Sequence, residues 1–171
     1  MTIEQATIRD AEAITQFQVD MAAESEGTTL NREVVLRGVT EGLKDVAKGI
    51  YLVARNDEGR PVASLMLTRE WSDWNCAWYW WIQSVYVRPE YRRHSIYRSM
   101  YAKVKEMAKE ANVSCVRLYV DKTNQRGLST YQALGMQESH YLLQGGRIKM
   151  RSPPKVLTGN FRPSQLSSFL S

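Results

Sequence analysis

The stretch from Ala77 to Val120 leaves the fold of this chain the fewest choices. An unusually aromatic run, roughly Ala77 to Val87, reads as a strand that ends at Pro89. From about Ser95 to Ala111, Ile96, Met100, Val104, Met107 and Ala111 fall on one helical stripe. Cys115 to Val120 is near-continuously apolar, as a strand covered on both faces would be. Strand, helix and strand in that order predict two parallel strands with the helix packed across them. Ligands of such sheets collect beyond the carboxyl ends of the parallel strands, which here means the segment after Val87.

The flanking sequence fits around that unit. Ile3 to Ile8 reads as a strand, and Asp10 as the N-cap of a helix carrying Ile14, Phe17 and Met21. After the break at Gly27-Thr28-Thr29, Asn31 caps a second helix with Val35, Val39 and Leu43 or Val46 buried. Strands Ile50 to Arg55 and Val62 to Thr68 form a hairpin about Asn56-Asp57-Glu58-Gly59, followed by a polar break at Glu70-Trp71-Ser72-Asp73. Asn124 to Leu134 reads as a helix closed by Gly135. A last strand pair, Gln137 to Leu143 and Arg147 to Met150, joins through Gly145-Gly146. The expected class is α/β (α+β): a mixed central sheet of about six to seven strands with flanking helices, in one domain over residues 1–151. Residues 152–171, with Ser152-Pro153-Pro154 and a serine-rich end, read as an extension. It either packs on a second copy, making a homodimer, or stays mobile.

Composition closes off several classes. A chain of 171 residues, 43% hydrophobic and 24% charged, suits one buried core. The longest apolar-looking run, Cys76 to Ile82, is too short to span a bilayer, and Met1-Thr2-Ile3-Glu4 does not begin a secretory signal. Two cysteines imply no disulfide framework, so a cytoplasmic protein is expected. His94 and His140 form no ligand pattern with Cys76 and Cys115, so no metal is expected, and Cys115 reads as core. The net charge of +5 suits an anionic partner.

That charge is concentrated where the parallel unit would bind a ligand. From Ser84-Val85-Tyr86-Val87-Arg88-Pro89 through Glu90-Tyr91-Arg92-Arg93-His94-Ser95-Ile96-Tyr97-Arg98, a strand end passes through a basic loop into a helix. The first helical turn leaves backbone N–H groups without partners, and the helix dipole directs its positive end at the loop. A diphosphate there would receive backbone donors and the charges of Arg92 and Arg93. A merely solvated basic face is the plainer alternative.

The segment resembles the core pattern of the GNAT acetyltransferase superfamily, a strand ending in Val-x-Pro followed by Arg-x-x-Gly-x-Gly/Ala and a helix. Ser95 stands at the usual glycine and Tyr97 at a usual glycine or alanine. Serine tolerates a positive φ less well than glycine, and Tyr97 narrows the groove. A second stretch, Leu118-Tyr119-Val120-Asp121-Lys122-Thr123-Asn124 through Tyr131 to Gly135-Met136, resembles the family's Asn-x-x-Ala-x-x-x-Tyr-x-x-x-Gly-Phe element, with Gly127 for alanine and Met136 for phenylalanine. The resemblance runs from about Ile3 to Met150. It implies a GNAT fold with a splayed parallel strand pair and acetyl-CoA as the acetyl donor.

The donor would contact Val85, Tyr86, Val87, Arg92, Arg93, His94, Ser95, Ile96 and Tyr97, with Asn124 on the pantetheine arm. A backbone amide near Val85 or Tyr86 would polarise the thioester carbonyl, and Tyr131 would protonate the leaving thiolate. The attacking amine needs a base or a water relay, because an ammonium near pKa ~10.4 is protonated at neutral pH. The family's strand glutamate has no counterpart here. Glu70 and Asp73, then Glu24 and Glu26, are the candidate bases, and together they suggest a cationic acceptor. Trp78 and Trp80 share one strand face, Tyr79 and Trp81 the other, as core packing or as an aromatic wall for the acceptor. Three functions stand: N-acetyltransferase with a small-molecule or peptide amine acceptor, acyl-CoA sensor with little catalysis, and single-strand nucleic-acid binder. Of these the first is preferred, with neither nucleic acid nor membrane as a partner.

Overall fold

The computed structural model describes residues 1–141, 143, 145 and 146. One mixed sheet holds five strands in chain order: β1 (Thr2–Gln5), β2 (Ile50–Arg55), β3 (Pro61–Ser72), β4 (Ala77–Val87) and β5 (Val113–Leu118). Neighbours from β1 to β4 are antiparallel, and β5 runs parallel to β4. Four helices accompany it: α1 (Ala11–Glu26), α2 (Arg32–Lys44), α3 (Ile96–Glu110) and α4 (Gln125–Ala133).

The two faces of the sheet bury different sets of residues. Ile96, Met100, Val104 and Ala108 of α3 pack on Leu52, Leu65, Leu67, Trp80 and Ile82. On the other face Ile14 of α1 and Val39 of α2 pack on Tyr51 and Val53. Leu52 and Val53 are both fully buried, so β2 is covered on both sides. Local chemistry sets the helix starts. Asn31 Oδ1 accepts from the Val34 N–H (3.1 Å) and caps α2. Asp10 stands at the N-cap of α1 but does not cap it. Its carboxylate turns back to the Thr7 N–H (2.8 Å) and pairs with Arg55 (2.8 Å), because residues 8–10 already form a 3-10 turn.

Two features of β4 position the site. Its pairing with β5 runs from Trp78↔Val113 to Ile82↔Leu118 and stops, while β4 continues to Val87. Against β3, Gln83 faces Met66 and Tyr86 faces Ser64, so Ser84 and Val85 together oppose Leu65. This is a β-bulge, with Ser84 in the left-handed region at φ 52°. The extra residue shifts the alternation. Val85 and Val87 join Trp80 and Ile82 on the α3 face, while Tyr86 joins Phe17 and Met21 on the α1 face.

Several expectations need correction. β5 starts and ends earlier than Cys115 to Val120, and Ala108 rather than the exposed Ala111 completes the α3 stripe. The polar break at Glu70 is strand instead, held by the pairs Glu70↔Tyr79 and Trp71↔Trp78, with the tryptophan rings edge-on at 5.1 Å. The turn lies at residues 73–76. Described residues 137–141 form no strand, since Gln137-Glu138-Ser139-His140 lacks any apolar alternation, so the described sheet has five strands rather than six to seven. The partner strand Arg147 to Met150, the boundary at residue 151 and the extension lie outside the described residues. Among the described residues no helix is long and apolar enough to cross a membrane.

Candidate active site

After Val87 the chain makes a 3-10 turn (Pro89–Tyr91), passes through Arg92 to Ser95, and enters α3. Arg93 (φ 67°) and Ser95 (φ 58°) both adopt left-handed backbone, costing roughly 1–2 kcal/mol each for an L-residue. That twist wraps the loop around a cleft of ≈ 660 Å³. Arg93, Ser95 and Arg98 line it on one side and Gln125, Arg126 and Ser129 of α4 on the other. No carboxylate is among its described lining residues. The start of α3 adds donors without partners and a positive dipole end.

The expected donor residues fall into two groups. Val87, Arg92, Arg93, Ser95, Ile96 and Tyr97 border the cleft, whereas His94 is not among its lining residues and its Nδ1 lies 2.8 Å from the Arg92 carbonyl oxygen. Arg92 is tethered: Nε donates to the Val87 carbonyl (2.9 Å), one amino group pairs with Glu24 (2.6 Å), and the guanidinium lies over the Tyr86 ring. Asn124 caps α4 by accepting from the Gly127 N–H at 2.8 Å. A Cβ at Gly127 would stand 2.7 Å from Asn124 Nδ2, so a larger residue there requires the Asn124 amide to shift. Tyr131 is 4% exposed and belongs to the same buried core as Val85 and Val87, edge-on to Tyr97 at 5.7 Å. The Tyr97 hydroxyl is buried without a hydrogen-bond partner among the described residues, and burial pushes its pKa far above the usual tyrosine value.

The α1 face of β4 carries a different chemistry. The Tyr86 hydroxyl donates to Glu24 (3.1 Å), its ring stacks on Phe17, and burial first, then the Glu24 charge, raises its pKa well above the usual value. Further back along the strand, Glu70 accepts from the Trp81 indole N–H and pairs with Arg117 at 3.4 Å. Arg117 lies over the Tyr79 ring at 4.0 Å, and Trp81 stacks on Tyr119 at 4.5 Å. Asp73 is in the turn before β4, roughly 30 Å from Val87 at about 3.3 Å per residue. Glu26 ends α1, and its side chain lies outside the described part of the structure.

Comparison with known proteins gives this geometry a family. The model of the acetyltransferase (GNAT) family matches residues 12–136. The chain belongs to that family. A possible acetyltransferase from Clostridium difficile 630 has the same fold at a TM-score of 0.81 and 36% identity, covering 87% of this chain and 98% of that one. A predicted acetyltransferase with acetyl-CoA from Clostridium acetobutylicum shares the fold at a TM-score of 0.68 and 16% identity, covering 85% and 95%. Thialysine N-epsilon-acetyltransferase of Bos taurus is 38% identical over 58 residues. That match spans about a third of each chain, 34% of both.

For a GNAT protein, two contributors to this cleft were not among the expected donor contacts, although Arg98 belongs to the basic run read from the sequence. Arg98 and Arg126 add charge beside Arg93, and both stand in the first turn of a helix bordering the cleft. That placement was the available signal. The residues present suit a diphosphate with a long polar arm. The cleft is cationic, the start of α3 borders it, and beyond Ile82 β4 has no strand partner on its β5 side among the described residues. The buried Tyr97 hydroxyl nearby also lacks a described partner.

Proposed function

We propose that this GNAT chain binds acetyl-CoA and transfers its acetyl group to an amine. The departure of β4 from β5 after Ile82, on a strand whose last residue Val87 borders a cleft lined among the described residues by arginines and no acid, carries the reading. Arg93, Arg98 and Arg126 hold the diphosphate with the first-turn amides of α3. The backbone of Val85 and Val87 takes the pantetheine arm as an added strand, and Asn124 meets it at the start of α4. Acetyl-CoA supplies an acyl group activated as a thioester.

The Val85 amide polarises the thioester carbonyl. As the nitrogen–carbon bond forms and the carbon–sulfur bond breaks, the Tyr131 hydroxyl gives its proton to the departing sulfur. The amine loses a proton on the α1 face. Glu24 is the carboxylate joined to the open part of β4, through Tyr86, so it is preferred as acceptor over Glu26, Glu70 and Asp73. A cationic acceptor suits that carboxylate, and the name of the bovine relative supports a terminal amine as the attacking group.

The burial of Tyr131 is the observation that favours the rival reading, an acyl-CoA sensor with little catalysis. One experiment separates the two. Thermal shift reports CoA binding while free thiol is followed across an amine panel. Transfer predicts thiol release with at least one amine, and Tyr131→Phe lowers kcat about 100-fold with the CoA Kd unchanged within twofold. Stabilisation by CoA without thiol release for any amine overturns transfer in favour of the sensor.

A further inference from the structure

The bulge at Ser84 makes Tyr86 share a face with Tyr79, Trp81 and Gln83, so the α1 face of β4 is one continuous track. Each end holds an ion pair, Glu24 with Arg92 at one and Arg117 with Glu70 at the other. Glu24 stands over Tyr86 at the open end, and Arg117 lies over Tyr79 and Trp81 at the other. Arg117 reaches over from β5, with its side chain 35% exposed. The Tyr79 ring at 4.0 Å fixes the plane of the guanidinium, and Glu70 holds one amino group at 3.4 Å. The other edge of the fork makes no hydrogen bond among the described residues. A stacked guanidinium with an edge turned outward is suited to a planar, bidentate anion such as a carboxylate.

We propose that Arg117 is a specificity-determining residue, receiving the carboxylate of an acceptor whose other end is the reacting amine. This rests on the transfer reading above, and names its substrate class: an amino acid or peptide end carrying a terminal amine. The guanidinium sits between the Tyr79 and Trp81 rings, nearer Tyr79, so roughly 13–16 Å of bulged strand lies between it and Val85. An extended diamino acid of roughly 7 Å, a charge-assisted hydrogen bond of about 2.8 Å to the fork, and contacts of roughly 3 Å each from amine to thioester and from thioester to the Val85 amide span that distance. Glu70 acts as a positioning residue. By taking the Trp81 indole N–H and one Arg117 amino group it fixes both the shelf and the fork.

Matched acceptors test this: L-lysine against 1,5-diaminopentane, which keep the chain length and differ by the carboxylate. In the intact chain kcat/KM is expected to favour lysine at least tenfold. Arg117→Gln lowers the lysine value at least tenfold more than the diamine value, and Arg117→Lys, keeping charge without the fork, falls between. CoA affinity within twofold of wild type certifies that the variants are folded. Equal losses for both amines, or a wild-type preference for the diamine, overturn the proposal and leave Arg117–Glu70 as a tie between β3 and β5. Should neither amine be turned over, the transfer reading is judged separately on the amine panel, and acceptor binding to the CoA-saturated chain still decides this proposal. Lysine binding lost in Arg117→Gln supports the site; binding indifferent to the carboxylate overturns it.

Discussion

At Ser95 the chain keeps a side chain where the backbone asks for none, since φ 58° is the region glycine enters freely. Removing the Cβ relieves roughly 1–2 kcal/mol of strain but adds 0.5–1 kcal/mol of unfolded-chain freedom. Ser95→Gly is therefore expected to raise the unfolding free energy by about 0.5–1 kcal/mol in urea denaturation, and a loss of stability would remove strain as the account of this residue. The positive φ was foreseeable from the glycine that the family pattern places here. The tether on Arg92 was not. Its partners Glu24 and Val87 are distant or backbone, and a basic run in a sequence does not say which guanidinium is already engaged. Glu70 has the same lesson: beside a tryptophan-rich strand it read as a free loop acid, and the continuation of β3 into a paired strand gives it Trp81 and Arg117.

Among elements, β4 does the most to build the site, and its bulge hinges on one residue. A β-branched side chain at φ 52° is far more strained than serine. Ser84→Val is expected to cost about 1–3 kcal/mol in chemical denaturation and to lower kcat by misaiming Val85 and Tyr86, while Ser84→Gly holds or gains stability. If valine is tolerated without loss, the bulge is not fixed by this residue. Nothing in the sequence signalled it: the α3-face residues Trp80 and Ile82 change parity to Val85 and Val87 only in the structure, with Tyr86 buried between them on the other face. The parallel β4–α3–β5 order was legible because helix and strand periods differ so plainly there. The split between β4 and β5 was expected only through the family resemblance, because pairing is a property of two segments and neither one records where its partner leaves.

At the scale of the molecule, buried tyrosines set an alkaline limit. Tyr51, Tyr86, Tyr97, Tyr101 and Tyr119 all have pKa values raised, with burial the leading cause in each. The unfolded chain then ionises first, so this contribution is fully present below the tyrosine reference near ~10 and lost progressively as pH rises from there toward the folded values. Tm is expected to hold from this source between about pH 7 and 9 and to fall above ~10, with a shallower fall in Tyr97→Phe; an unchanged slope in that variant would exonerate Tyr97. The open edge of β4 has a consequence of another kind. Unpaired strand edges are templates on which a second chain can zip, and proteins usually blunt them with charge, proline or a cover. Here the edge proposed to take the donor makes no pair with β5 beyond Ile82, so on that reading the donor also serves as its cap. A cell poor in acetyl-CoA would then leave this protein less active and, at the same time, stickier.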